Sequence, residues 1–146
     1  MKSKILKDWQ NREKSIEELH NDSIVWISEI NFIRDEIRFL EHLLKDNYID
    51  CLSAGLYKKI ETLVNQMSFE RVAGKTLEIV IKEQEAVLSN LIKTNSVLSN
   101  KNYLDNHRKL EFEMDSFAAK YKRIKKEIFE IIENVMKQKE QKKLLS

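Results

Sequence analysis

Residues 103–135 read YLDNHRKLEFEMDSFAAKYKRIKKEIFEIIENV, and one row of side chains in this stretch decides the fold: Tyr103, His107, Leu110, Met114, Phe117, Tyr121, Ile124, Ile128, Ile131 and Val135. The steps alternate between three and four residues, which is the repeat of a helix burying one seam. Leu104, Ala118 and Ile132 lie one position beyond the seam and widen its apolar face. A bundle helix needs that width, whereas a two-stranded coiled coil needs only the narrow stripe.

The same repeat runs through the chain on the N-terminal side. A polar stretch, Ser99-Asn100-Lys101-Asn102, precedes this helix and reads as a loop. Before it the seam passes through Leu56, Ile60, Leu63, Met67, Glu70, Gly74, Leu77, Ile81, Gln84, Leu88, Leu91, Asn95 and Leu98, so its middle is polar. Asn47, Asp50, Ser53 and Gly55 mark a second loop, and ahead of that loop the row Ile16, Leu19, Trp26, Ile30, Ile33, Ile37, Leu40 and Leu44 is broken only at Ser23.

The spacing therefore predicts helices over about residues 8–47, 53–98 and 103–143, with Asp8 as the first N-cap. Residues 137–146 have no apolar partner positions and are expected to fray. Short loops make successive helices antiparallel, so residues 1–146 read as a single domain, an elongated all-α up-down-up bundle of three helices. Gly74 costs up to about 1 kcal/mol in a helix interior. A break there would turn the second helix into two and give a four-helix bundle.

Composition supports the helical reading. The 146 residues include no proline and two glycines, where average usage would place about seven and about ten. Sandwiches and doubly wound α/β domains need more reversals than these residues can build. At 42% hydrophobic the chain is also too apolar for a disordered segment.

The net charge of +2 is too balanced for a dedicated nucleic-acid binder. It is uneven, however: residues 1–119 hold 17 basic and 20 acidic groups, and residues 120–146 hold 9 and 4. Lys120, Lys122, Arg123, Lys125 and Lys126, then Lys137, Lys139, Lys142 and Lys143, form a basic end. Glu127, Glu130, Glu133 and Glu140 interleave with them, which suits a salt-bridged face better than a nucleic-acid stripe, although an accessory role on nucleic acid is the weaker alternative.

No export signal is expected, because Asp8 and Gln10 interrupt the start before an apolar core can form. The longest strongly apolar run, Ile24 to Ile27, is far too short to span a bilayer. A single cysteine, Cys51, forms no intrachain disulfide and fits a reducing cytoplasm.

The usual catalytic signatures are missing. Two isolated glycines make neither a phosphate loop nor a dinucleotide fingerprint. Cys51 has no second cysteine for a zinc or redox pair, and pairing it with His42 would rest on proximity alone. A di-iron bundle needs two Glu-x-x-His pairs, and only Glu17 and His20 supply one. The chain is expected to be no enzyme and to need no cofactor.

Two placements on the first helix stand out. Val25, Phe32 and Phe39, seven apart, form a second apolar stripe, and the acids Asp22, Glu29 and Glu36 lie between it and the seam. With the reversal centred near residue 51, Glu29 and Glu36 fall level with the polar middle of the second helix at Gln66, Glu70 and Arg71. The expectation is a polar core network of Glu29, Glu36, Gln66, Glu70 and Arg71 that fixes register. The alternative is a carboxylate metal or small-ligand site on Glu29, Glu36 and Glu70. The apolar stripe either packs under the third helix, if the first is the most buried of the three, or, joined by Phe112 and Phe129, forms an interface with a second copy in a homodimer or with another helical protein.

The segment Trp26-Ile27-Ser28-Glu29-Ile30-Asn31-Phe32-Ile33-Arg34-Asp35-Glu36 resembles the first helix of uncharacterised bacterial helical-bundle proteins, a resemblance that carries no function with it. The Lys/Asn/Ile-rich composition is that of an AT-rich bacterial genome. The sequence thus points to a non-catalytic, cytoplasmic scaffold or interaction module that self-associates.

Overall fold

In a computed structural model describing residues 14–145, the chain is all-helical. The elements are α1 (Ile16–Asp46), α2 (Tyr48–Ser53), α3 (Tyr57–Lys93) and α4 (Lys101–Leu145). The three long helices pack on one another along the seams read from the sequence. From Leu19 to Leu44 every seam residue of α1 is buried, as is every one of α4 from Tyr103 to Val135. Ion pairs Arg34–Glu78 and Glu41–Arg71 run α1 against α3 in opposite directions, and Asp22–His107 and Glu36–Tyr121 run α1 and α4 in the same direction.

The helix ends show why the boundaries fall where they do. α1 begins at a capping box in which the Glu18 N–H donates to Ser15 Oγ at 3.2 Å and the Ser15 N–H donates to Glu18 Oε1 at 3.3 Å. The expected cap at Asp8 lies outside the described residues. The loop expected at residues 47–55 folds a six-residue helix, α2, into the reversal. It stops at Gly55, whose φ of +76° suits glycine, with the Leu56 N–H returning to the Cys51 carbonyl and the Gly55 N–H to Leu52.

The second long helix starts at Tyr57 rather than 53 and stops at Lys93 rather than 98. Asn95 takes the left-handed conformation at φ 53°, and the Ser96 N–H closes back on the Leu91 carbonyl at 2.9 Å. Asn tolerates that conformation better than most residues, so the helix ends there although the apolar repeat continues on paper. Val97 is consequently buried and Leu98 exposed, the reverse of the expected seam. α4 then starts two residues earlier than its repeat, at Lys101, because the Asn100 side chain accepts from the Tyr103 N–H at 2.9 Å. The tail expected to fray from residue 137 is helical to Leu145, with Lys137 bonded to Glu133 one turn back and Lys139 reaching Asp50 in α2.

No break occurs at Gly74; α3 runs through it. A Cβ there would stand 3.1 Å from Cζ of Phe117 and 3.5 Å from Cγ2 of Ile30. The glycine is thus a point of close approach between three helices. The fourth helix of the fold comes from the reversal at α2.

The core divides in two. The larger part holds residues such as Trp26, Ile30, Ile81, Leu110 and Phe117; the smaller holds Leu19, Leu88, Val97 and Tyr103. Between them each long helix places a polar residue in its seam: Ser23, Gln84 and His107. The Asp22–His107 bond sets α1 level with α4 there, and the Gly74–Phe117 approach, ten residues away along both helices, sets Gln84 level with His107.

Candidate functional site

The expected polar network does not assemble. Glu29 is exposed. Glu36 turns to α4, where it accepts from the Tyr121 hydroxyl and from Lys125 Nζ at 2.7 Å. Burial alone would push the Glu36 carboxyl up, but the bonds from Lys125 and Tyr121 outweigh it and hold it below the ordinary range. Arg71 pairs with Glu41 on the opposite flank of α1. Only Gln66 and Glu70 stay together, in a cleft of about 360 Å³ between α3 and α4 whose lining also includes Phe69, Lys120 and Arg123.

Two physical reasons account for the difference. Gly74 does meet α1 close to the expected level, at Ile30, but Gln66 and Glu70 turn towards α4 rather than α1. The hand of the bundle then puts α4, not α3, on the side of α1 that carries Asp22 and Glu36. A heptad repeat is the same for either hand.

Glu70 is 7% exposed, and its Oε2 is buried without a hydrogen-bond partner. Burial raises its carboxyl above the ordinary value, partly offset by the charge of Lys120. Glu29, Glu36 and Glu70 face three different surroundings and cannot share one ion. Among the described residues no group of three or more His, Cys, Asp or Glu side chains is placed to hold a metal.

The sequence reading missed the polar layer at Ser23, Gln84 and His107. His107 donates from Nε2 to Asp22 Oδ2 at 2.9 Å and stacks against Trp26 with ring centroids 4.8 Å apart. Asp22 also accepts from Lys14 at 2.5 Å, and His20 donates to Glu85 at 2.7 Å on the α3 side. Burial, together with the charges of Glu85 and Asp22, pushes the nearby Tyr103 hydroxyl up to about 12. The signal was present in part: the first and third seams each turn polar once, at Ser23 and His107, and Gln84 is one of several non-apolar positions in the second.

The apolar stripe lies on a surface. Val25 is 51% exposed, Phe32 61%, Phe39 56%, Phe112 77% and Phe129 42%. Helical phase places Val25, Phe32 and Phe39 on the flank of α1 next to Asp22 and Glu36, which face α4. Phe129 lies one turn from Lys125, which reaches Glu36 of α1, while Phe112, two positions from buried Leu110 and Met114, points straight out from the bundle. With residue 22 level with 107 and 36 level with 121, Phe112 stands near the level of Val25 and Phe129 just beyond Phe39. Val25, Phe32, Phe39 and Phe129 thus border the α1/α4 groove, and α1 packs less closely on α4 than on α3.

None of the helices described is long and apolar enough to cross a membrane. Compared with protein-family models, curated proteins and solved structures, the chain matches none of them.

Proposed function

We propose that this protein is a non-catalytic helical-bundle module that works by protein association, and that it self-associates through the α1/α4 face. The observation that supports this reading is the row of exposed apolar side chains Val25, Phe32, Phe39 and Phe129 along the α1/α4 groove, with Phe112 exposed on the outer face of α4. Scattered exposed apolar residues are ordinary, but a contiguous strip is the mark of an interaction surface. From Val25 to the level of Phe129 the strip runs about 28 Å along the helices and spans two of them, each about 10 Å across. That footprint is on the scale of the smaller stable interfaces. Glu29 and the Glu36–Lys125 pair, set between the rims, supply polar groups that a symmetric partner can meet.

Residence in the cytoplasm goes with this reading, since the only cysteine, Cys51, is buried and reduced. The test is sedimentation equilibrium of the purified chain beside a Phe32→Ser/Phe39→Ser variant. The parent is expected to be a dimer and the variant a monomer of unchanged helix content. A monomeric parent at millimolar concentration removes the proposal.

A further inference from the structure

The opposite flank of α1, facing α3, carries a different pattern. Three levels follow one another along this groove. At the first, Arg34 pairs with Glu78 at 2.9 Å; at the third, Glu41 pairs with Arg71. Between them acid does not meet base. Arg38, exposed on the turn of α1 between Arg34 and Glu41, makes no ion pair among the described residues. The ladder of opposite charges is interrupted by an unpaired cation.

Arg34, Arg38, Glu41 and Arg71 line a cleft of about 390 Å³ at this point. Three of the six arginines in the chain are thus gathered on one concavity with a single carboxylate among them. Glu78 offsets little of this charge, because its second oxygen already accepts from Lys82 at 2.9 Å. Guanidinium groups present fixed forks of donors that match phosphate oxygens two at a time, and their weak hydration makes them the preferred cation for that contact. A multiply charged anion in this cleft would give Arg38 the counter-charge it lacks.

We propose that this α1/α3 cleft binds the phosphoryl group of a small molecule, with Arg38 as the principal contact and Arg34 and Arg71 on either side. The charge is confined to about two turns of α1 and closed at both ends by ion pairs, which suits a compact anion better than the extended backbone of a nucleic acid. The cleft lies on the side of α1 away from the apolar strip, so it is independent of self-association.

The experiment is calorimetric titration of the full chain with pyrophosphate, repeated at constant ionic strength because screening mimics weak anion binding. Saturable binding is expected at one site per chain. Arg38→Gln should weaken it about tenfold or more, the scale of a lost hydrogen bond to a charged group, and Arg38→Glu should abolish it. Arg38 is exposed and unpaired, so both variants should keep the parent's helix content. Lys126→Gln/Lys142→Gln, at the basic end of α4, should bind as the parent does. A linear response without saturation, or equal affinity in Arg38→Gln, overturns the proposal. A single-stranded oligonucleotide that binds through Arg38 more tightly than pyrophosphate overturns it as well, by making the groove a nucleic-acid surface.

Discussion

Glu70 occupies a seam position that the heptad reserves for an apolar side chain, and it is buried there with one carboxylate oxygen unpartnered. Desolvation disfavours the ionised form, and Lys120 only partly compensates. Its folded-state pKa is therefore raised above the ordinary 4.5, so the folded chain holds the proton more tightly than the unfolded one. The sign is opposite to that of a salt-bridged acid. The cost is full above the folded pKa and disappears as pH falls through it towards the unfolded value. Glu70→Met should consequently stabilise the protein at pH 7 by about 1 kcal/mol, the scale of an unsatisfied buried polar group, with the gain shrinking at pH 4. Guanidinium unfolding at both pH values measures it, and an equal gain at each would show that ionisation is not the cause. The seam in the sequence exposed this residue as anomalous, but only the structure shows that Arg71, its expected partner, faces the other way.

At the scale of elements, α1 and α4 were legible almost residue by residue because their seams are unbroken apart from Ser23 and His107. α3 was legible in its interior and not at its ends. Its C-terminus is set by Asn95 adopting a left-handed backbone, a local choice to which hydrophobic periodicity is blind. The break considered at Gly74 illustrates a different limit. Helix propensity marks this glycine as a weak point, whereas in three dimensions it admits the Phe117 ring and Ile30. Gly74→Leu should therefore cost about 1–3 kcal/mol by overpacking. Gly74→Ala should be close to neutral, its propensity gain of up to about 1 kcal/mol offset by the displacement of Phe117. If the glycine were a hinge, both substitutions would stiffen α3 and raise stability, and chemical denaturation distinguishes the two cases.

For the whole molecule the informative feature is how three polar interruptions coincide. Seams this regular permit several registers, because shifting one helix by seven residues returns apolar side chains to apolar neighbours. Ser23, Gln84 and His107 remove that freedom. In the observed register His107 reaches Asp22, which Lys14 also binds, and His20 reaches Glu85 beside Gln84. A slip of one heptad would set His107 level with Ile16 or Ile30 instead of Ser23, with Glu29 taking the place of Asp22 in one direction and no acid in the other. Apolar replacement of buried polar groups often stabilises while loosening specificity. The triple variant Ser23→Ala/Gln84→Leu/His107→Leu should then join the two parts of the core and melt at a higher temperature than the parent. It should also populate additional assemblies, visible as extra species in light scattering coupled to size exclusion. A variant that melts lower and remains as uniform as the parent would mean that the layer serves stability rather than register. The prediction depends on three helices meeting at one level, and the sequence recorded the polar residues singly because their alignment follows from the reversal at α2 and from the hand of the bundle.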